Sequence, residues 1–173
     1  GAKTTSSLVE MGSGKGTLFF DILSTIKKLA ASNQVAAEFL AATEFHIIEI
    51  NEELSKIQQE KLSEFRISWH KNFNEFLQKK SVERKIIFLS NELFDCFPID
   101  QYIKTDIGWC ERMIEEKSGK FSFKLAEFDL AKNNFVEELL GYERDVKAPF
   151  GAVFEYSQAS RDFMQQLCES LKN

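Results

Sequence analysis

Short apolar runs alternate along this chain with stretches in which apolar residues recur every three or four positions. Residues 7–10 form a brief strand-like run that enters a glycine turn. Beyond it, Leu18, Phe19, Ile22, Leu23, Ile26 and Leu29 keep helical spacing, which predicts a helix from Thr17 to about residue 31. Residues 45–50, FHIIEI, read as a buried strand. Asn51 stands where the next helix, carrying Leu54, Ile57 and Leu62, needs its N-cap. A short strand follows at 67–69, a short helix at 73–79, and the most strand-like segment of all, IIFL, at 86–89.

Strands and helices alternating at this spacing predict parallel strands joined by right-handed crossovers, an α/β doubly wound sheet with helices on both faces. After Pro98 the pattern changes. Segments 99–104, 109–114 and 121–125 read as an inserted antiparallel ribbon, with Ser118-Gly119 as a turn. A last strand at 152–155 leads into a helix over 157–171. No repeat or Pro/Gly/Ser linker divides the chain, so one domain over 1–173 is expected. Its parts are a core at 1–98, a ribbon and helical segment at 99–150, and a strand-helix end at 151–173.

The 173 residues are 43% hydrophobic with 17 Phe and only 2 Pro, the composition of a globular domain. A net charge of −5 provides no basic stripe for tracking phosphates, so nucleic acid is not an expected partner. Cys96, Cys110 and Cys168 form no C-x-x-C pair, and His46 and His70 are the only imidazoles, which argues against a disulfide framework and against a metal site. Cys96 beside Phe97 is expected to pack as a small hydrophobe. No apolar run is long enough to span a membrane and the first residues lack a signal-peptide core, so a soluble, intracellular chain is expected.

The turn, LVEMGSGKGT, admits two readings. GSGKGT has the look of a phosphate loop, but Val9 stands where a kinase-type loop wants a further glycine, and Gly16 follows Lys15 where that loop needs Ser or Thr. Glu10 beside the turn would repel a polyanion yet suits an ammonium. Gly12, Gly14 and Gly16, followed by Thr17, let the backbone approach a nucleoside-bearing ligand such as S-adenosyl-L-methionine. Glu49, at the end of the second strand, fits the acid that accepts from both ribose hydroxyls, although it comes later than the roughly 20 residues usual after such a loop. An insert at 33–43 accounts for the delay. After the 86–89 strand, NELFDCFP offers Asn91, Glu92 and Asp95. They form either a guanidinium-holding group or a turn whose Asn and Asp satisfy local backbone.

LVEMGSGKGTLFFDIL, FHIIEINEEL, NELFDCFPIDQY, GWCERMI and FEYSQAS, in that order, resemble the MidA-like methyltransferases. The resemblance extends over nearly all of residues 8–171. It implies a class I, Rossmann-like methyltransferase fold, S-adenosyl-L-methionine as cofactor, and methylation of a protein arginine linked to respiratory complex I assembly. It places Glu10, Gly12, Gly14, Gly16 and Thr17 on the cofactor loop, Glu49 on the ribose, and Asn91, Glu92 and Asp95 at the catalytic segment. Trp69 and His70, similar to a W-H segment of the family, fall near the adenine. Glu111 and Arg112 match its W-x-E-R motif through Trp109, and Glu155 matches the acid before the last helix.

Family members extend further at both ends, so the chain reads as a truncated relative whose sheet keeps strands in the order 3-2-1-4 and an open edge. A second copy or a complementing segment is the expected cover for that edge. A catalytically impaired cofactor- or protein-binding assembly module is the alternative function, and a nucleotide phosphotransferase the remote one. The implied partner is a protein substrate such as a complex I subunit, and the implied compartment is the cytoplasm in a bacterium or the mitochondrial matrix in a eukaryote.

Overall fold

In the computed structural model, the residues described are 6–79, 85–141 and 148–171. The chain divides into two compact units, one spanning Phe97–Met164 and the other built from the chain before it together with that from Gln165.

In the first unit, β1 (Ser6–Met11) enters the glycine turn and α1 (Thr17–Ala30) leaves it. Then come α2 (Gln34–Ala42), β2 (Thr43–Ile48), α3 (Glu52–Lys61), β3 (Ile67–His70), α4 (Phe73–Lys79) and β4 (Lys85–Ser90). The strands are parallel in the order β3-β2-β1-β4, the order expected, with β4 at one edge. Side chains alternate across the sheet, so the register assigns each to a face. Leu8, Glu10, Phe45, Ile47, Ile67 and Trp69 share one face. It packs against Phe19 and Leu23 of α1 and against Leu62, all fully buried. Burying each such side chain stabilises the unit by about 1.5–3 kcal/mol. The opposite face carries His46 and His70, against which Phe76 of α4 packs.

Helix ends follow the capping chemistry read in the sequence. Asn51 Oδ1 accepts from the N–H groups of Glu53 and Leu54. The insert at 33–43 is itself helical. Asn33 caps α2 by accepting from Ala36 N at 3.0 Å, and Phe39 and Leu40 pack on the core.

The second unit holds an antiparallel sheet of β5 (Asp100–Lys104), β6 (Trp109–Lys117), β7 (Lys120–Leu125) and β8 (Val153–Tyr156), ordered β7-β6-β5-β8. The expected ribbon is thus the greater part of a sheet that the last strand completes by pairing with β5. Helix α5 (Leu130–Leu140) packs Val136 against Tyr102 and Trp109. Trp109 is a scaffold residue: its Nε1 donates to Glu137 at 3.1 Å and its backbone N to Asn133 at 3.0 Å. The boundary between the units falls within α6 (Gln158–Leu171). Among the described residues, no helix is long and apolar enough to cross a membrane.

Candidate cofactor site

The glycine turn lies at the carboxyl end of β1, between two strands that bring their own ends to it. Gly12 N donates to Ile48 O at 3.2 Å, tying the turn to the end of β2. Gly12, Gly14 and Gly16 hold φ of 74°, 53° and 71°, the left-handed region in which only glycine is at ease. A methyl group on Gly16 would lie 3.3 Å from both Gln58 Cγ and Leu62 Cδ1, so α3 passes hard against that residue. A methyl group on Gly14 would meet nothing within 4 Å; its outer side is an open cradle.

Glu49 follows β2 directly. Its N–H donates to His70 O at 2.9 Å, and its two carboxylate oxygens are oriented from α3 and its cap: Oε1 accepts from Asn51 N at 2.8 Å, Oε2 from Gln58 Nε2 at 3.1 Å. Gln58 Nε2 also donates to Gly14 O at 2.8 Å, while Gln58 Oε1 accepts from Trp69 Nε1 at 3.2 Å. One fully buried amide therefore joins the glycine turn, the strand-end acid and the indole. Sequence reasoning passed over it. Gln58 falls four residues from both Leu54 and Leu62, on the inward face of the helix, and that spacing was the available signal.

Glu10 is 2% exposed, and among the described residues its Oε2 has no hydrogen-bond partner; neither has the buried Ser13 Oγ. Burial pushes the Glu10 carboxyl up from the usual range, and the nearby Ser13 hydroxyl only partly offsets this. A buried carboxylate and hydroxyl left open at the base of the turn fit a cationic, hydrogen-bonding ligand group.

Trp69 and His70 are adjacent in sequence but sit on opposite faces of the sheet. The Trp69 indole lies on the α3 side with Gln58, whereas the His70 imidazole hydrogen-bonds His46 on the α4 side. A cleft of about 360 Å³ beside Glu49 is lined by Ile50, Glu52, Lys56, Trp69 and His70 among others. Thr17 is exposed at the start of α1, its hydroxyl 2.7 Å from Lys61 Nζ.

Asn91, Glu92 and Asp95 are exposed in the turn after β4. Glu92 adopts φ 52°, the left-handed region, and Asp95 lies in a single 3-10 turn, Phe94–Cys96. Leu93 anchors this turn to the glycine loop: a methyl group on Gly12 would come within 2.9 Å of Leu93 Cδ1. Cys96 is exposed rather than packed: it closes the 3-10 turn, and its Sγ lies 3.3 Å from Glu92 O. In the second unit, Glu111 pairs with Lys132, Arg112 lies 3.5 Å from the centre of the Phe123 ring, and Glu155 accepts from Gln101 at 2.6 Å.

The family described as "Putative S-adenosyl-L-methionine-dependent methyltransferase" matches residues 1–173. The chain belongs to that family, and its cofactor is S-adenosyl-L-methionine. Curated relatives named "Protein arginine methyltransferase NDUFAF7, mitochondrial" are similar. The mouse protein is 26% identical over 79% of this chain and 35% of its own length. The zebrafish protein (Danio rerio) is 29% identical over 71% and 32%. This chain thus spans about a third of the relatives it matches. Its fold is that of a COG1565 superfamily member from Burkholderia thailandensis, solved with S-adenosyl-homocysteine bound. The TM-score is 0.67 at 22% identity, over 96% of this chain and 39% of that one.

Proposed function

We propose that this chain is the cofactor-holding part of a methyltransferase of the MidA type, acting on a protein arginine. The observation that carries the reading is the convergence, through Gln58, of the Gly14 peptide and the oriented Glu49 carboxylate beside an open glycine cradle. Glu49 would receive the ribose hydroxyls, Gly12 to Gly16 would seat the amino-acid arm, and Glu10 with Ser13 would answer its ammonium. When bound, S-adenosyl-L-methionine supplies a methyl group on a cationic sulfur. Glu92 and Asp95, with Asn91, would hold the acceptor guanidinium by charge-assisted bonds, and their turn is fixed to the cofactor loop through Leu93.

The names of the curated relatives support an arginine acceptor and, in a eukaryote, the mitochondrial matrix. The MidA resemblance adds a complex I subunit as substrate, and the edge position of β4 adds a second copy or complementing segment beside it. Glu10, buried at the base of the turn, disfavours a triphosphate there. Calorimetric titration tests the reading: S-adenosyl-homocysteine binds, and binding is lost in Gly14→Val and Glu49→Ala. Binding of ATP without S-adenosyl-homocysteine would overturn it.

A further inference from the structure

We infer that Gln58 is a positioning residue, which sets the Glu49 carboxylate and the Gly14 peptide in their binding arrangement before the nucleoside arrives. The inference rests on the cofactor reading above and concerns a side chain that touches the glycine loop and the acid from behind.

A buried primary amide is costly unless its hydrogen-bonding groups are used. Here both partners of the fork-shaped NH₂ and the carbonyl are in place: Gly14 O, Glu49 Oε2 and the Trp69 indole. No other uncharged side chain of this length offers two donors and an acceptor in that geometry. The consequence for Glu49 is definite. Each carboxylate oxygen has two acceptor sites. Asn51 N occupies one on Oε1 and Gln58 one on Oε2. One site remains on each oxygen, the pair that a vicinal diol requires.

The consequence for the loop is equally direct. Peptides are planar and trans, so capturing the Gly14 carbonyl fixes the flip of the 14–15 peptide and sends the Lys15 N–H the opposite way. Gly16 fits the arrangement, since a Cβ there would lie 3.3 Å from the Gln58 stem and oblige it to shift.

The test compares the wild type with Gln58→Leu and Gln58→Glu by calorimetric titration with S-adenosyl-homocysteine near pH 8 and near pH 6. Gln58→Leu removes both donors and weakens binding about tenfold or more at both pH values. Gln58→Glu places a second carboxylate against Glu49 and the Gly14 carbonyl. Proximity raises the pKa of the introduced group, so this variant is the weakest near pH 8 and recovers part of its affinity, relative to wild type, near pH 6. A purely structural role would show no such recovery.

Both variants binding as the wild type does overturns the role, as does a Gln58→Glu shortfall equal at the two pH values. Should neither variant fold, the wild type still decides. The Gln58 side-chain amide protons exchange slowly and their resonances shift on titration with S-adenosyl-homocysteine; fast exchange or unmoved resonances overturn the role. Failure of the wild type to bind S-adenosyl-homocysteine overturns the cofactor reading and this inference together, whereas binding by wild type with unaffected variants removes the inference alone.

Discussion

His46 Nδ1 lies 3.1 Å from His70 Nε2, joining β2 to β3 on the sheet face turned toward α4. Both imidazoles are buried, and Phe76 packs edge-on against each. Glu44 stands 3.6 Å from His46 Nε2, outside hydrogen-bond range, and that nitrogen has no hydrogen-bond partner among the described residues. Burial holds both rings below the ordinary histidine value. His70 is lowered to about 4 by desolvation first, then by His46 and Lys79, with Glu75 acting in the other direction.

The pair is expected to make the first unit acid-labile. Between pH 6.5 and about 4 the unfolded chain binds more protons than the folded one, so stability present at pH 7 is lost as pH falls through that window. Denaturant midpoints measured at about pH 7 and about pH 5 should fall on acidification, and His70→Phe should flatten the dependence. A wild-type midpoint insensitive to this change would refute the assignment. Because His70 O accepts from Glu49 N, the loss is expected to weaken S-adenosyl-homocysteine binding over the same window.

Gly14 and Gly16 differ in what surrounds them, and their substitutions should separate folding from binding. Gly16→Ala combines an unfavourable φ with contacts of 3.3 Å to Gln58 and Leu62. It is expected to destabilise by about 2 kcal/mol or more. Gly14→Ala carries the φ cost, about 1 kcal/mol, with no crowding. Its methyl group instead projects into the open cradle. Thermal melts should therefore show Gly16→Ala as the weaker fold, and titration should show Gly14→Ala as a weak binder while still folded. Equal effects in both assays would count against the cradle.

How much of this was legible in the sequence depends on how local the determining physics is. The α4 span, the Asn51 cap and the β1-turn-α1 unit were readable because capping, glycine conformation and periodicity act over a few residues. The α2 helix was missed as structure because its sequence, QVAAEFLAA, has only a weak apolar stripe; Phe39 and Leu40 are defined as core by what they meet. The pairing of β8 with β5 joins segments far apart in the chain, and no local pattern encodes it. In the candidate site, the glycines and Glu49 were legible as motif positions. The placing of Trp69 and His70 on opposite faces follows from strand alternation once the register is known. Gln58 carried one local signal, its spacing from Leu54 and Leu62, but a glutamine on a helix rich in Glu and Lys reads as surface until its neighbours are seen.

The W-x-E-R segment belongs to the scaffold of the second unit. Trp109 is 2% exposed and bonded to Asn133 and Glu137, and Lys104 lies over its ring at 5.2 Å. Trp109→Ala should cost about 3–5 kcal/mol of stability. Asn133→Ala, which strips the acceptor from the Trp109 N–H, should cost about 1–3 kcal/mol. Affinity for S-adenosyl-homocysteine in protein that remains folded is expected to stay within about twofold of wild type. A loss of binding without a loss of stability in Asn133→Ala would count against a purely structural role for this segment.

Glu92 offers the sharpest separation of geometry from chemistry. A non-glycine residue at φ 52° carries roughly 1 kcal/mol of backbone cost. Its carboxylate is exposed and free to meet a partner from solvent. Glu92→Gly relieves the backbone cost but loosens the unfolded chain. The net change in stability should lie within about 1 kcal/mol, and S-adenosyl-homocysteine affinity should be retained. If the carboxylate holds the acceptor guanidinium, transfer of label from methyl-labelled S-adenosyl-L-methionine to an arginine-rich acceptor protein should fall by at least about tenfold, as for loss of a charge-assisted contact. Undiminished transfer by Glu92→Gly would make the left-handed turn the feature that matters and leave Asp95 and Asn91 as the acceptor-holding groups.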